Sequence, residues 1–174
     1  MRHVFLIGAR ASGKTTLGKL LAERLGIGFM DTDDLIVARL GMPIADYVAR
    51  AGWEAFRDRE TEALEEVCGR PPLVVACGGG MVLRPRNREL LRSGLALYLH
   101  APAGVLAARL AADPKEAQRP SLTGKGLLEE VAGILTAREP LYRECANAVL
   151  DADADLDELL ERATAAVGSI PGKG

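Results

Sequence analysis

The sequence predicts an α/β fold in which buried parallel strands alternate with crossover helices around one core. Short apolar runs recur between longer segments of helical period, and the apolar residues are mainly Ala, Leu and Val. A glycine-rich loop pattern also joins the first apolar run to the first helical segment. The chain has 174 residues, the length of one compact domain spanning 1–174. Hydrophobic residues make up 48% of it, yet only three Phe, three Tyr and one Trp are present, so aliphatic packing must build the core.

The first strand is read at residues 3–7, His-Val-Phe-Leu-Ile. Leu17, Leu20, Leu21 and Leu25 then share one face of a helix. Four further apolar runs, at 27–30, 73–76, 95–99 and 148–150, are strand candidates separated by mostly helical stretches. Trp53 to Glu60 is one such helical stretch, and Pro102 sits where a first-turn proline is tolerated. Residues 111–126 lack a hydrophobic period and hold Asp113, Pro114, Lys115, Glu116, Gln118, Arg119 and Pro120, the composition of a functional lid. Leu156, Leu159, Leu160, Ala163 and Val167 form the closing helical stripe. Asp151, Asp153 and Asp155 precede it as a capped entry, and residues 168–174 are expected to fray.

Charge and composition exclude several classes of function. Lys and Arg total 22 against 24 Asp and Glu, without the basic excess a nucleic-acid binder uses to neutralise phosphates. No apolar run approaches the ~20 residues that span a bilayer. Met1-Arg2-His3 leads directly into a strand, so no membrane partner and a cytoplasmic location are expected. Cys68, Cys77 and Cys145 are odd in number and far apart, which argues for reduced thiols over disulfides or a zinc site. His3 and His100 lie at strand ends and read as structural.

The strongest local signal is Gly8-Ala9-Arg10-Ala11-Ser12-Gly13-Lys14-Thr15, a full match to G-x-x-x-x-G-K-[ST] between a strand and a helix. Its backbone amides can curl around phosphate oxygens, and the helix N-terminus adds partial positive charge. Lys14 is expected to reach the β- and γ-phosphates, and the Thr15 hydroxyl to ligate Mg²⁺. There is no Asn-Lys-x-Asp for guanine, and the run at 73–76 ends in Cys77-Gly78-Gly79-Gly80, without the aspartate that often orders Mg²⁺. Asp31-Thr32-Asp33 is the alternative source of carboxylate. If extended, it directs Asp31 and Asp33 to one side, one to order Mg²⁺ and the other to accept a hydroxyl proton. The competing reading is a cap for a helix starting near Asp34. Arg57 and Glu60 share a helix face, a pattern that by itself usually marks a solvated ion pair. The glycine triad at 78–80 suits either a tight turn or close approach to a ligand.

Taken in order, these motifs resemble shikimate kinase, a branch of the P-loop kinases related to nucleoside-monophosphate kinases. They are the phosphate loop, Phe29-Met30-Asp31-Thr32-Asp33, Phe56-Arg57-x-x-Glu60, Gly78-Gly79-Gly80, Arg119-Pro120-x-Leu122-Thr123-Gly124 and Arg138-x-Pro140-Leu141-Tyr142-Arg143. The resemblance runs from Val4 to about Leu150. It implies a three-layer α/β/α P-loop kinase fold with a five-stranded parallel sheet, a substrate-binding helical segment at about 32–60 and a mobile lid at about 111–126. The implied activity is ATP-dependent phosphorylation of the 3-hydroxyl of shikimate, with Mg²⁺, by a monomer. Asp33 is implied to bind shikimate hydroxyls and act as base, with Arg57 and Arg138 on the carboxylate. Phe56, Gly78, Gly79 and Gly80 line the pocket. Asp31 acts through Mg²⁺, Arg119 closes onto the transferring phosphate, and Arg109 lies by the adenine. Thr16 joins the phosphate loop as a further ATP contact.

Two positions and one segment depart from the family's pattern. Ala11 stands where glycine is common, and Cys77 where Thr or Ser often precedes the triad. Residues 151–155 lack the proline common in the adenine-side loop, so no nucleotide contact is assigned there. Two other readings use the same scaffold. A kinase for another small hydroxy acid such as gluconate would keep Lys14 and Asp31 without needing both arginines. A noncatalytic nucleotide-responsive regulator would not need Lys14, Thr15, Asp31 and Asp33 together.

Overall fold

The computed structural model describes residues 1–113 and 126–169. Strand β1 (Val4–Ile7) leads through the phosphate loop into α1 (Lys14–Leu25), followed by β2 (Gly28–Asp31), α2 (Thr32–Leu40) and α3 (Ile44–Cys68). Strand β3 (Leu73–Ala76), a short 3₁₀ turn (Met81–Leu83) and α4 (Pro85–Ser93) come next. Then follow β4 (Leu95–His100), α5 (Ala103–Ala112), α6 (Leu127–Cys145), β5 (Ala148–Asp151) and α7 (Leu156–Ser169). The five strands form one sheet in the order β2-β3-β1-β4-β5, every neighbouring pair parallel.

The alternation of side chains along β1 divides the core into two layers. Val4 and Leu6 pack with Leu17 and Leu21 of α1, Leu106 of α5 and Leu159 of α7. Phe5 and Ile7 face the other way, onto Leu64 and Val67 of α3, Leu91 of α4 and Tyr142 of α6. All four β1 side chains are at most 1% exposed. At about 1.5–3 kcal/mol per buried large apolar side chain, β1 alone contributes a gross stabilisation comparable with a domain's whole net stability of about 5–15 kcal/mol. The loop at its carboxyl end therefore starts from a rigid base.

The chain runs from β1 out to the edge strand β2, returns to β3, and crosses β1 to reach β4. This reversal opens a crevice at the carboxyl ends of the strands, where open α/β sheets bind ligands. A third apolar cluster joins α2 and α3 beyond the edge strand, with Ile36, Phe56 and Ala63 buried against Leu40, Ile44, Tyr47, Val48 and Trp53. Helix α3 is broken at Gly52 (φ 83°, ψ 169°), an angle pair that glycine tolerates best. The break redirects the chain just before Trp53, Phe56, Arg57 and Glu60.

Several boundaries differ from the sequence reading. Asp31 belongs to β2 and α2 begins at Thr32, so residues 31–33 are not an extended segment. Pro102 precedes α5 as its cap. Residues 111 and 112 end α5, residue 126 caps α6, and 114–125 of the expected lid lie outside the described residues. At the C-terminus the helix continues through Gly168 and Ser169 where fraying was expected, while 170–174 lie outside the described residues. Asp155 accepts from the Asp157 amide at 2.9 Å and caps α7, whereas Asp151 closes the preceding turn on the Asp153 amide at 3.0 Å. Among the described residues no helix is long and apolar enough to cross a membrane.

Candidate active site

The phosphate loop hangs between β1 and α1. Lys14 folds back over it, its Nζ donating to the carbonyls of Gly8 at 2.9 Å and Ala9 at 2.7 Å and to Ser12 Oγ at 3.4 Å. Ser12 is buried, so its hydroxyl shapes the loop from behind. Ala11 adopts φ 62°, the left-handed region in which a Cβ is strained. Arg109 braces it, donating to the Ala11 carbonyl at 3.3 Å and to the Ala152 carbonyl at 2.8 Å.

Asp31 fills the capping role that competed with its reading as a metal carboxylate, and it also faces Thr15. Its Oδ1 accepts from the amides of Asp33 at 2.9 Å and Asp34 at 3.4 Å, capping α2, while its Oδ2 accepts from Thr15 Oγ1 at 2.8 Å. The cap places Asp33 in the first helical turn, and Asp33 reaches the crevice from the helix instead of from an extended strand. Thr15 and Asp31 together present hard oxygen donors of the kind Mg²⁺ accepts. No group of three or more His, Cys, Asp or Glu side chains able to hold a metal occurs among the described residues. One carboxylate beside a phosphate site suits Mg²⁺, which usually completes its shell with water and phosphate oxygens.

Two cavities adjoin along this edge. The larger, about 290 Å³, is lined by Arg10, Ala11, Gly13, Lys14, Thr15, Thr16, Asp31 and Arg109. The smaller, about 50 Å³, is lined by Ile44, Trp53, Phe56, Arg57, Glu60, Gly80 and Arg138. Arg10, Asp33, Gly78 and Gly79 line both, and so form the seam between them. Gly8 and Ser12 line neither cavity, and Ala9 faces a third one between α5 and α6. Arg119 lies outside the described residues.

The smaller cavity is lined by apolar rings and charged side chains together. Arg57 is 8% exposed and donates to Glu60 Oε2 at 2.6 Å, with Glu60 itself 1% exposed. The pair is thus buried, against the solvated pair that its spacing suggested. The Arg57 guanidinium lies 5.1 Å from the Trp53 ring centre and 5.6 Å from that of Phe56, within cation–π range. Arg138 is 9% exposed, and its Nη1 lies 3.6 Å from where a Cβ on Gly79 would stand. Burial pushes the Glu60 carboxyl up, with Arg57 beside it opposing that rise and Asp33 adding to it.

The glycine triad passes between these groups, and at Gly78 and Gly80 no side chain fits. A Cβ on Gly80 would stand 2.0 Å from Arg57 Nη1, and one on Gly78 would stand 2.8 Å from Asp33 Oδ1 and 3.0 Å from Glu60 Oε1. Two residues hold this backbone without having been singled out by their own chemistry. Thr32, fully buried, accepts from the Gly78 amide at 3.0 Å, and Tyr142 donates to the Gly79 carbonyl at 2.6 Å. Burial raises the Tyr142 phenol to about 12, so it remains a donor at neutral pH. Both belong to quoted motifs, but nothing in a linear sequence shows which backbone group a hydroxyl meets. Cys77 is 1% exposed, and burial pushes its thiol far up, which leaves it inert as a nucleophile.

Comparison with known proteins assigns a family to this arrangement. The family model described as shikimate kinase matches residues 10–167. A shikimate kinase of Nitratidesulfovibrio vulgaris is 52% identical over 164 residues, 94% of each chain. Shikimate kinase 2 of Yersinia enterocolitica is 51% identical over 160 residues, 91% of each chain. The solved shikimate kinase of Acinetobacter baumannii in complex with shikimate superposes with a TM-score of 0.90 at 32% identity, covering 97% of this chain and 94% of that one. A gluconokinase of Sinorhizobium meliloti shares the fold at a TM-score of 0.57 and 19% identity.

Proposed function

Because the chain belongs to the shikimate kinase family, we propose that it transfers the γ-phosphoryl group of ATP to the 3-hydroxyl of shikimate, giving shikimate 3-phosphate and ADP. The observation that carries this reading is the seam. Asp33 lines both a phosphate-loop cavity and a cavity walled by two buried guanidiniums. A hydroxyl held there meets a proton acceptor on one side and a phosphoryl donor on the other.

In this assignment Gly8, Ala9, Arg10, Ala11, Ser12, Gly13, Lys14, Thr15 and Thr16 form the triphosphate cradle, and Arg109 lies on the adenine side. A bound triphosphate takes over the Lys14 ammonium from the loop carbonyls. Thr15 and Asp31 hold Mg²⁺, which supplies charge neutralisation at the phosphates when bound. Arg57 and Arg138 grip the carboxylate of the acid, the planar forks matching its two oxygens. Phe56 packs on the carbocycle, and Gly78, Gly79 and Gly80 let the backbone approach it. Asp33 accepts the hydroxyl proton as the oxygen forms its bond to γ-phosphorus and the bond to the departing ADP oxygen breaks. Arg119, carried by a lid at about 111–126, meets the charge on the transferring group, and closure excludes water.

The same proposal takes residues 1–174 as one kinase domain with its substrate-binding segment at about 32–60. It takes the enzyme to act as a cytoplasmic monomer without nucleic-acid or membrane partners. ADP release from the purified protein, measured with a panel of hydroxy acids, tests the substrate. Turnover should require shikimate and Mg²⁺ and stop with a chelator. Equal turnover on gluconate, or none on shikimate, refutes the assignment.

A further inference from the structure

The two arginines assigned to the acid come from helices distant in the chain, α3 and α6, and α4 packs against both of them. Arginines of α4 and its cap reach out in two directions. Towards α3, Arg84 donates to Asp58 Oδ1 at 2.5 Å and to the Glu54 carbonyl at 3.2 Å, and Arg86 donates to Glu65 Oε1 at 3.1 Å. Glu54 and Asp58 bracket Arg57 on that helix. Towards α6, Arg88 Nε lies 3.4 Å from Glu144 Oε1, a carboxylate that also pairs with Arg92. Arg88 further donates to the carbonyls of Val82 at 2.9 Å and Leu83 at 3.2 Å, at the end of the 3₁₀ turn that follows Gly80.

Neither Arg84 nor Arg88 lines the two cavities of the site. We propose that Arg84 and Arg88 are positioning residues for acid binding. Through α4 they set the spacing of α3 and α6, and with it the spacing of the Arg57 and Arg138 guanidiniums across the glycine triad. The inference rests on the reading of Arg57 and Arg138 as the acid-binding pair. An exposed ion pair contributes only about 0–1 kcal/mol to stability. Its leverage here is geometric, because both forks must meet one small carboxylate, and misplacement by roughly 1 Å is costly to a positioned group.

The test is a pair of double-mutant cycles read as KM for shikimate, KM for ATP and kcat. Arg84→Ala is combined with Arg57→Ala, and Arg88→Ala with Arg138→Ala. Arg24→Ala, which removes a remote pair with Glu161, is the control. Alone, Arg84→Ala and Arg88→Ala should each raise KM for shikimate about 3- to 10-fold while KM for ATP stays within about twofold. Arg84→Lys and Arg88→Lys should recover part of the loss, and they carry the same comparison if an alanine variant does not fold. In the Arg57→Ala or Arg138→Ala background the matching α4 substitution should add nothing further. Equal rises with and without the partner arginine, or parallel rises in both KM values, overturn the positioning role. If Arg57→Ala and Arg138→Ala leave KM for shikimate unchanged, the acid-binding pair itself fails, and the positioning inference falls with it.

Discussion

Gly80→Ala isolates the packing that shapes the acid-binding side. The backbone at Gly80, φ −89° and ψ 0°, is open to alanine, so the substitution introduces a methyl group without backbone strain. That methyl would stand 2.0 Å from Arg57 Nη1, 2.4 Å from Cζ and 2.8 Å from Nη2. Ordinary contact requires the guanidinium to retreat by roughly 1.5 Å. Arg57 is closely confined, its side chain 10% exposed and joined at 2.6 Å to a Glu60 side chain that is 2% exposed. Retreat therefore disturbs a buried pair as well as the fork offered to the substrate. Losing one charge-assisted hydrogen bond of about 1.5–3 kcal/mol raises KM for shikimate about 10- to 100-fold. Steady-state kinetics with a coupled ADP assay should show that rise with KM for ATP within about twofold, since the phosphate loop is untouched. In an Arg57→Ala background the methyl group should have little further effect. A KM for shikimate within twofold of the parent, or an equal rise for ATP, refutes the reasoning.

Three further outcomes are expected. Ala11→Gly relieves a left-handed alanine that costs about 1–2 kcal/mol, against about 0.4–1 kcal/mol of added unfolded-state entropy, so Tm should rise by about 1–4 °C; a fall in Tm counts against strain at this position. Tyr142→Phe removes the donor to the Gly79 carbonyl and should cost about 0.5–1.5 kcal/mol in denaturant unfolding, while an unchanged midpoint would show that the bond contributes nothing. Burial lowers the His3 pKa below 6.5, against the opposing hydrogen bonds to the backbone of Arg70 and Cys68, and His3 Nδ1 accepts from the Leu73 amide. The unfolded chain then binds the proton more readily, so this contribution is present above pH 6.5 and lost as pH falls through the folded value. Unfolding free energies across that window should decline less steeply in His3→Asn, and identical slopes would exclude His3 as the source.

The linear sequence by itself determined the layered α/β class, all five strands to within a residue or two, and the phosphate loop. These follow from local periodicity and from a motif whose function lies in consecutive backbone amides, which need no distant partner to be recognised. The ordered motifs likewise carried the chain to its family, which the comparisons bear out. Only the tertiary structure decided what depends on groups meeting across the fold. Asp31 reads as a metal carboxylate with a helix cap as the competing reading, until Thr15 and the α2 amides are seen to share its two oxygens. Arg57 and Glu60 have the spacing of a solvated pair, and burial beneath Trp53 and Phe56 makes them part of a pocket wall. Gly80 suits a tight turn or close approach to a ligand alike, until Arg57 is seen to fill the space its side chain would need. For Asp31 and Gly80 a deciding partner lies on another element, for Arg57 and Glu60 the burial of their helix face decides, and the balance between solvation and burial exists only once the chain has folded.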